Sequence, residues 1–210
     1  MKIPTPQKAS EYLSEAEAMN PGPWVQHSIF VAKAAEAIAT HHPMLDPVTA
    51  YILGYLHDIG RQIGKTANRH IIDGYEFLHA KGFSDSARIC LTHSFPIKDV
   101  NVISGRWDCS LEERKFVKDY LAGIEYTEYD RLIQLSDALA LPSGFCLIEK
   151  RLMDVALRYG INDYTLLKWK ATLSLQQEFE EAIEQSIYSI LPGVVSNTFG
   201  FDVNMASTRG

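Results

Sequence analysis

Apolar residues recur at helical spacing along almost the whole chain, so it reads as helix nearly throughout. The clearest segment opens at Asn20, a candidate N-cap, with prolines at 21 and 23, and runs to about Thr40, where His41-His42-Pro43 stops it. His27, Val31, Ala34, Ala35 and Ile38 fall on its apolar side. The next segment, from about Asp46 to Ile59, is apolar almost all round (Val48, Ala50, Ile52, Leu53, Leu56), the pattern of a helix enclosed by others, and Gly60 is expected to end it. Further helices are expected at about 68–81, 84–95, 110–122, 129–140, 145–159 and 163–190, and their short connections favour antiparallel neighbours. Residues 96–110, PIKDVNVISGRWDCS, form a long irregular stretch of the kind that often covers a site. The pattern therefore predicts an all-α chain: an N-terminal helix in 1–19, a helical core over 20–142, a helical extension over 143–190 packing on it, and an irregular tail over 191–210.

Composition narrows the class. With 46% hydrophobic and 22% charged residues in 210, one soluble domain with a helical extension is expected. Twenty basic against 26 acidic residues leave a net charge of −6, which argues against an electrostatic grip on nucleic acid or an anionic membrane. Any phosphate must then be held by a local site. The three cysteines, Cys90, Cys109 and Cys146, form no CxxC pair and suggest no disulfide framework, which fits a reducing cytoplasm. The N-terminus has no apolar signal region, and no run of 18 apolar residues is present, so neither secretion nor membrane spanning is expected.

The candidate chemistry lies in polar residues set on apolar faces. His27 interrupts the stripe of its helix, His57-Asp58 closes the most buried segment in YLHDIG, and Asp137 sits in RLIQLSDALAL between Ile133 and Leu141 at helical spacing. Singly, each has an ordinary reading as a satisfied core histidine or a paired carboxylate. Jointly, four inward-facing ligand types on three helices would each cost several kcal/mol, on the order of a buried unpaired charge, and a divalent cation would satisfy them together. For His41, His42 and His79 the ordinary reading, cations at helix C-termini, holds.

The order H(27)…HD(57–58)…D(137) on consecutive helices resembles the HD-domain metal-dependent phosphohydrolases, over about residues 20–142. The resemblance implies an all-helical bundle with one metal held by His27, His57, Asp58 and Asp137. His70, at the start of RHIIDGYEFL, and His93, at the end of ARICLTHSF, reproduce the H…HD…H…H…D order of the dinuclear branch, which implies a second ion shared through Asp58. Imidazole and carboxylate ligands suit Fe, Mn, Co, Ni or Zn, and Mg is kept open as well. Ser94-Phe95-Pro96 follows His93 without a second histidine or a Gly-Tyr-Pro loop, which points away from the cyclic-dinucleotide phosphodiesterase branch. Size and ligand order are closer to small bacterial HD hydrolases, including symmetrical dinucleoside-tetraphosphate hydrolases. Those carry a lysine soon after the HD pair, where this chain has Arg61 and, one turn on, Lys65.

The resemblance implies hydrolysis of a phosphate ester or anhydride of a small metabolite, most simply a nucleotide, by metal-bound hydroxide. His57 and Asp58 carry the catalytic centre in this reading, and Asp73, one turn from His70, is a candidate to orient it or assist proton transfer. Arg61, Lys65 and, from the long loop, Arg106 are candidate phosphate contacts, with Lys98 a weaker one. Tyr55, Tyr75, Phe95 and Trp107 are candidates to stack a base. The helices after Leu141 are expected to cover the core or form a homodimer contact. An alternative is an HD-like domain without turnover that binds a ligand or signals, which ligand loss would mark, and all six candidate ligands are intact. A third reading is a helical adaptor with structural histidines.

Overall fold

Prolines and short polar caps set where the first helices begin. The computed structural model describes residues 1–201. Helix α1 (Pro6–Met19) starts behind Thr5, whose hydroxyl accepts the Lys8 N–H at 3.2 Å. Helix α2 (Pro23–His41) begins on Pro23, and α3 (Pro47–Leu56) begins behind Asp46, whose carboxylate accepts the Thr49 N–H at 2.7 Å. Then come α4 (His70–Ala80), α5 (Ser84–Thr92), α6 (Leu111–Gly123) and α7 (Glu128–Ala138), the last two opened by capping boxes at Ser110/Glu113 and Thr127/Asp130. After a two-stranded antiparallel hairpin, β1 (Ala140–Leu141) and β2 (Gly144–Phe145), the chain forms α8 (Ile148–Tyr159), α9 (Thr165–Ile183), α10 (Ile187–Ile190) and α11 (Val194–Phe199). The fold is all-α, as expected, and no helix of the described residues is long and apolar enough to cross a membrane.

Three buried apolar clusters hold the helices. In the first, Val31, Ala35 and Ile38 of α2 meet Leu53 of α3, Leu132 and Leu135 of α7, and Leu175 and Phe179 of α9. In the second, Tyr12 and Leu13 of α1 cover Leu56 and Ile59, with Leu78 of α4. The third joins Ile71 and Ile72 of α4 to Leu91, Phe95, Val100 and Leu121, and so ties the long 96–110 stretch down. Each such fully buried Leu or Ile contributes roughly 1.5–3 kcal/mol. The α2 and α3 backbones touch at Gly54, where a Cβ would stand 2.8 Å from the Ala32 Cα.

The sequence reading needs four corrections at element ends. Asn20 does not cap α2: Gly22 precedes Pro23, and Asn20 closes α1, donating its backbone N–H to the Ala16 carbonyl and its side-chain amide to the Arg61 carbonyl at 2.6 Å. Helix α3 ends at Leu56 rather than Ile59, and Ile59–Ile63 is a 3₁₀ turn. Gly60 is therefore not a helix stop. It is a close-approach glycine, since a Cβ there would lie 2.0 Å from the His70 carbonyl oxygen and 2.4 Å from the Gly74 nitrogen. Finally, the stretch from 191 is not irregular at its start: Val194–Phe199 is helical, and Leu191 and Val194 are buried in the first cluster. The remainder of that stretch, 202–210, lies outside the described residues.

Candidate functional site

Helix ends bring the six candidate ligands together. His27 lies one turn inside α2, His57 and Asp58 follow the last residue of α3, His70 opens α4, His93 caps α5, and Asp137 stands at the end of α7. Because α3 stops at Leu56, Asp58 leaves the helical path with φ −106° and ψ 14°, directing its carboxylate to His70 and His93 as well as His57. Five of the six line one cleft, with His57 buried behind them, and Asp137 is the most exposed, at 25% of its side chain.

Three imidazoles are held in a single orientation by backbone carbonyls. The Nδ1 atoms lie 2.7 Å from the Gly54 carbonyl for His57, 2.6 Å from that of Ala67 for His70, and 3.1 Å from that of Ile89 for His93. A carbonyl only accepts, so each Nδ1 carries a proton, and in the neutral ring Nε2 then presents its lone pair, the arrangement that prepares an imidazole for a cation. The Asp58 carboxylate is met by Nε2 of His70 at 3.1 Å, of His93 at 3.7 Å and of His57 at 3.9 Å. On the other side, His27 Nε2 lies 2.8 Å from Asp137 Oδ1. Two ligands of one ion at bond lengths of about 2.0–2.2 Å stand about 3 Å apart when bound at right angles, so these separations suit shared coordination.

Two overlapping sets of ligand atoms result: His27, His57 and Asp58, and Asp58, His70 and His93, each within 4.8 Å of one another. His57 Nε2, Asp58 Oδ1 and His27 Nδ1 are buried with no hydrogen-bond partner among the described residues. Polar atoms so placed are expensive unless something binds them, and a divalent cation fits this donor set of imidazole nitrogens and carboxylate oxygens.

The electrostatics agree. Burial pushes the His93 imidazole down to about 3, with His57 assisting, and burial likewise lowers His27. Burial alone would raise Asp58, but Arg61, His70 and His57 together hold it well below the usual carboxylate range. Asp137 is also held well below it, its burial outweighed by the His27 hydrogen bond and by Arg151. At neutral pH these groups therefore stand as neutral imidazoles and ionised carboxylates, the forms that bind metal.

Around them lies a cavity of about 580 Å³. Arg61 and Lys65, the candidate phosphate contacts, both line it. Arg61 Nε lies 2.5 Å from Asp58 Oδ2, and its Nη2 lies 3.2 Å from His70 Nε2, so its guanidinium caps both acceptors. Three expectations are corrected. Arg106 is exposed and does not line the cleft; its backbone carbonyl is tied to the Asn68 amide at 2.9 Å. Asp73 does not orient His70, whose Nδ1 is taken by the Ala67 carbonyl; Asp73 pairs with Arg69 at 3.2 Å and lies off the cleft, where burial raises its carboxyl. Lys98 is spent on the Ile124 carbonyl and Glu125. None of Tyr55, Tyr75, Phe95 and Trp107 reaches the cavity: Phe95 is fully buried, Trp107 stacks on it, and the other two pack into the apolar clusters.

The aromatic rings on the cleft are instead Trp24 and Tyr159. Three cations that sequence reasoning missed also line it, Arg151 and Arg158 from α8 and Lys168 from α9. Arg151 donates to both the carboxylate of Asp137, at 3.1 Å, and its backbone carbonyl, at 3.2 Å. A signal was present: 151, 154, 155 and 158 are spaced as one face of a helix, but a face bearing Arg, Asp and Arg reads as one turned to solvent.

Comparison with known proteins places this geometry in a family. The family described as HD domain matches residues 24–141, more than half of the chain. No curated protein matches the sequence. Among solved structures, the crystal structure of the L. monocytogenes phosphodiesterase PgpH HD domain is similar, at 17% identity over 85% of this chain and 96% of that one, with a TM-score of 0.48.

Proposed function

This chain belongs to the HD-domain family of metal-dependent phosphohydrolases, and from that premise we propose that it hydrolyses a phosphate ester or anhydride of a nucleotide, using two divalent ions. In this reading His27, His57, Asp58 and Asp137 hold one ion, and Asp58, His70 and His93 hold the other. The observation that carries it is Asp58: it belongs to both sets of ligand atoms, and its buried Oδ1 has no hydrogen-bond partner among the described residues. Bound divalent ions supply charge neutralisation at phosphoryl oxygens and activation of water.

The chain's own residues do the rest. The carbonyls of Gly54, Ala67 and Ile89 fix the tautomer and aim of three imidazoles. Arg61 and Lys65 bind phosphoryl oxygens from the side of the 3₁₀ turn. Trp24 and Tyr159 offer ring faces to a base, and a cavity of about 580 Å³ suits a small metabolite rather than a polymer. The net charge of −6 supports the same choice.

One observation favours a second reading, with a single ion: Arg61 already bridges Asp58 and His70, and a guanidinium there supplies the charge a second ion would. The test is a hydrolysis screen of nucleotides, dinucleoside polyphosphates and sugar phosphates with Mn, Fe, Co, Ni, Zn and Mg, beside the metal content per chain. Turnover of nucleotides with about two ions supports the proposal; no hydrolysis under any metal overturns it, and turnover with one ion selects the second reading.

A further inference from the structure

Five cations and three carboxylates line the cleft, and matching them leaves two cations over. Arg61 pairs with Asp58, Arg151 with Asp137, and Arg158 with Asp154. Neither Lys65 nor Lys168 makes an ion pair among the described residues. The two come from different walls, Lys65 from the segment after the 3₁₀ turn and Lys168 from α9. They also differ in exposure, since Lys65 is open to solvent while Lys168 is partly buried.

An ammonium group drawn out of water without a fixed counter-ion is destabilising unless the site meets an anion. Lys168 lines the same cavity as the Asp137–Arg151 pair. Asp137 does not neutralise it, being committed to His27 and Arg151. Farther along, Arg158 lies at the rim beside Tyr159, 47% exposed.

We propose that Lys168, with Arg158 at the rim, binds a second phosphate of the substrate, separate from the phosphoryl group that reacts. The proposal rests on the phosphohydrolase reading and narrows it to substrates with two or more phosphoryl groups, such as nucleoside polyphosphates. Both residues lie beyond the part of the chain that the HD domain matches, so the metal end and the recognition end come from different segments.

The experiment is titration calorimetry on Mn-loaded full-length protein with two non-hydrolysable probes, inorganic phosphate and methylenediphosphonate, in excess Mn. Wild type is expected to bind the diphosphonate roughly 10–100-fold more tightly than phosphate, the gain of one or two charge-assisted contacts. Lys168→Met should abolish most of that preference while leaving phosphate affinity within about threefold and the bound Mn unchanged, and Lys168→Arg should restore it. Lys168→Gln serves the same comparison if the Met variant does not fold. Equal affinity of wild type for the two probes, or an unchanged preference in Lys168→Met, overturns the second-phosphate site alone. Failure of wild type to bind either probe overturns the phosphohydrolase reading with it.

Discussion

Replacing Gly60 by alanine tests how the second set of ligands is built. The new methyl carbon would stand 2.0 Å from the His70 carbonyl oxygen and 2.4 Å from the Gly74 nitrogen, against 3.4 Å for ordinary contact. Both neighbours are backbone, so no rotamer change relieves the overlap. The 3₁₀ turn and the start of α4 must separate by about 1.4 Å, and His70 moves with α4. Metal–ligand distances hold to within about 0.2 Å, so a displacement of this size takes His70 out of reach of an ion shared with Asp58. His27, His57 and Asp137 are carried by other helices and keep their places. Overpacking of this kind costs about 1–3 kcal/mol, and each kcal/mol lowers the Tm of a chain this long by about 2–4 °C. The expected result is a folded Gly60→Ala protein with Tm lower by about 2–12 °C and bound metal reduced by about one ion per chain. Scanning calorimetry with elemental analysis reads both. A variant with wild-type Tm and wild-type metal content would refute the claim that this backbone contact positions His70.

Three further outcomes follow. Asp58→Ala should empty both sites and abolish hydrolysis, whereas His70→Ala or His93→Ala should lower bound metal from about two ions to about one; an unchanged count in the histidine variants would refute the two-ion arrangement. In chelator-treated protein, urea stability should be full above pH 6.5 and fall as the pH drops toward 3, because the unfolded chain takes up protons on His27 and His93 that burial keeps off in the fold. A slope of about one to two protons is expected, and a flat profile between pH 7 and 5 would contradict the burial argument. Lys65→Ala should lower kcat/KM roughly 10–100-fold with metal content intact, while Arg106→Ala should change it by less than about twofold; the reverse order would put the Arg106 side chain on the substrate.

The candidate ligand set was legible because polar residues on apolar faces are costly and therefore conspicuous. His27 among Val31 and Ile38, or His57-Asp58 closing a nearly uniform apolar segment, cannot be mistaken for surface. The helices themselves were legible for the same periodic reason, and their ends less so. A proline at 21 pulled the expected start of α2 back to Asn20, and a two-residue hairpin at 140–145 is too short to show any period. Arg151, Arg158 and Lys168 escaped notice for a different reason. Charged side chains facing a wet cleft obey the same pattern as charged side chains facing bulk water, and only the position of α8 distinguishes them. Arg106 and Asp73 erred the other way, through nearness in sequence to cleft residues without nearness in space.

Helix α8 turns Arg151, Asp154, Val155 and Arg158 to the cleft, leaves Leu157 80% exposed on its outer side, and buries only Ile148 in the core. The metal end has no such freedom, since its ligands sit on helices locked by Gly54, Gly60 and fully buried apolar side chains. Divergence among descendants of this chain should therefore be lopsided. Substitutions at Asp154, Val155 and Arg158 can redirect what the cleft accepts without touching the candidate metal ligands, whereas Arg151 is tied to Asp137, so new preferences can arise at those three positions one residue at a time while the chemistry is inherited intact.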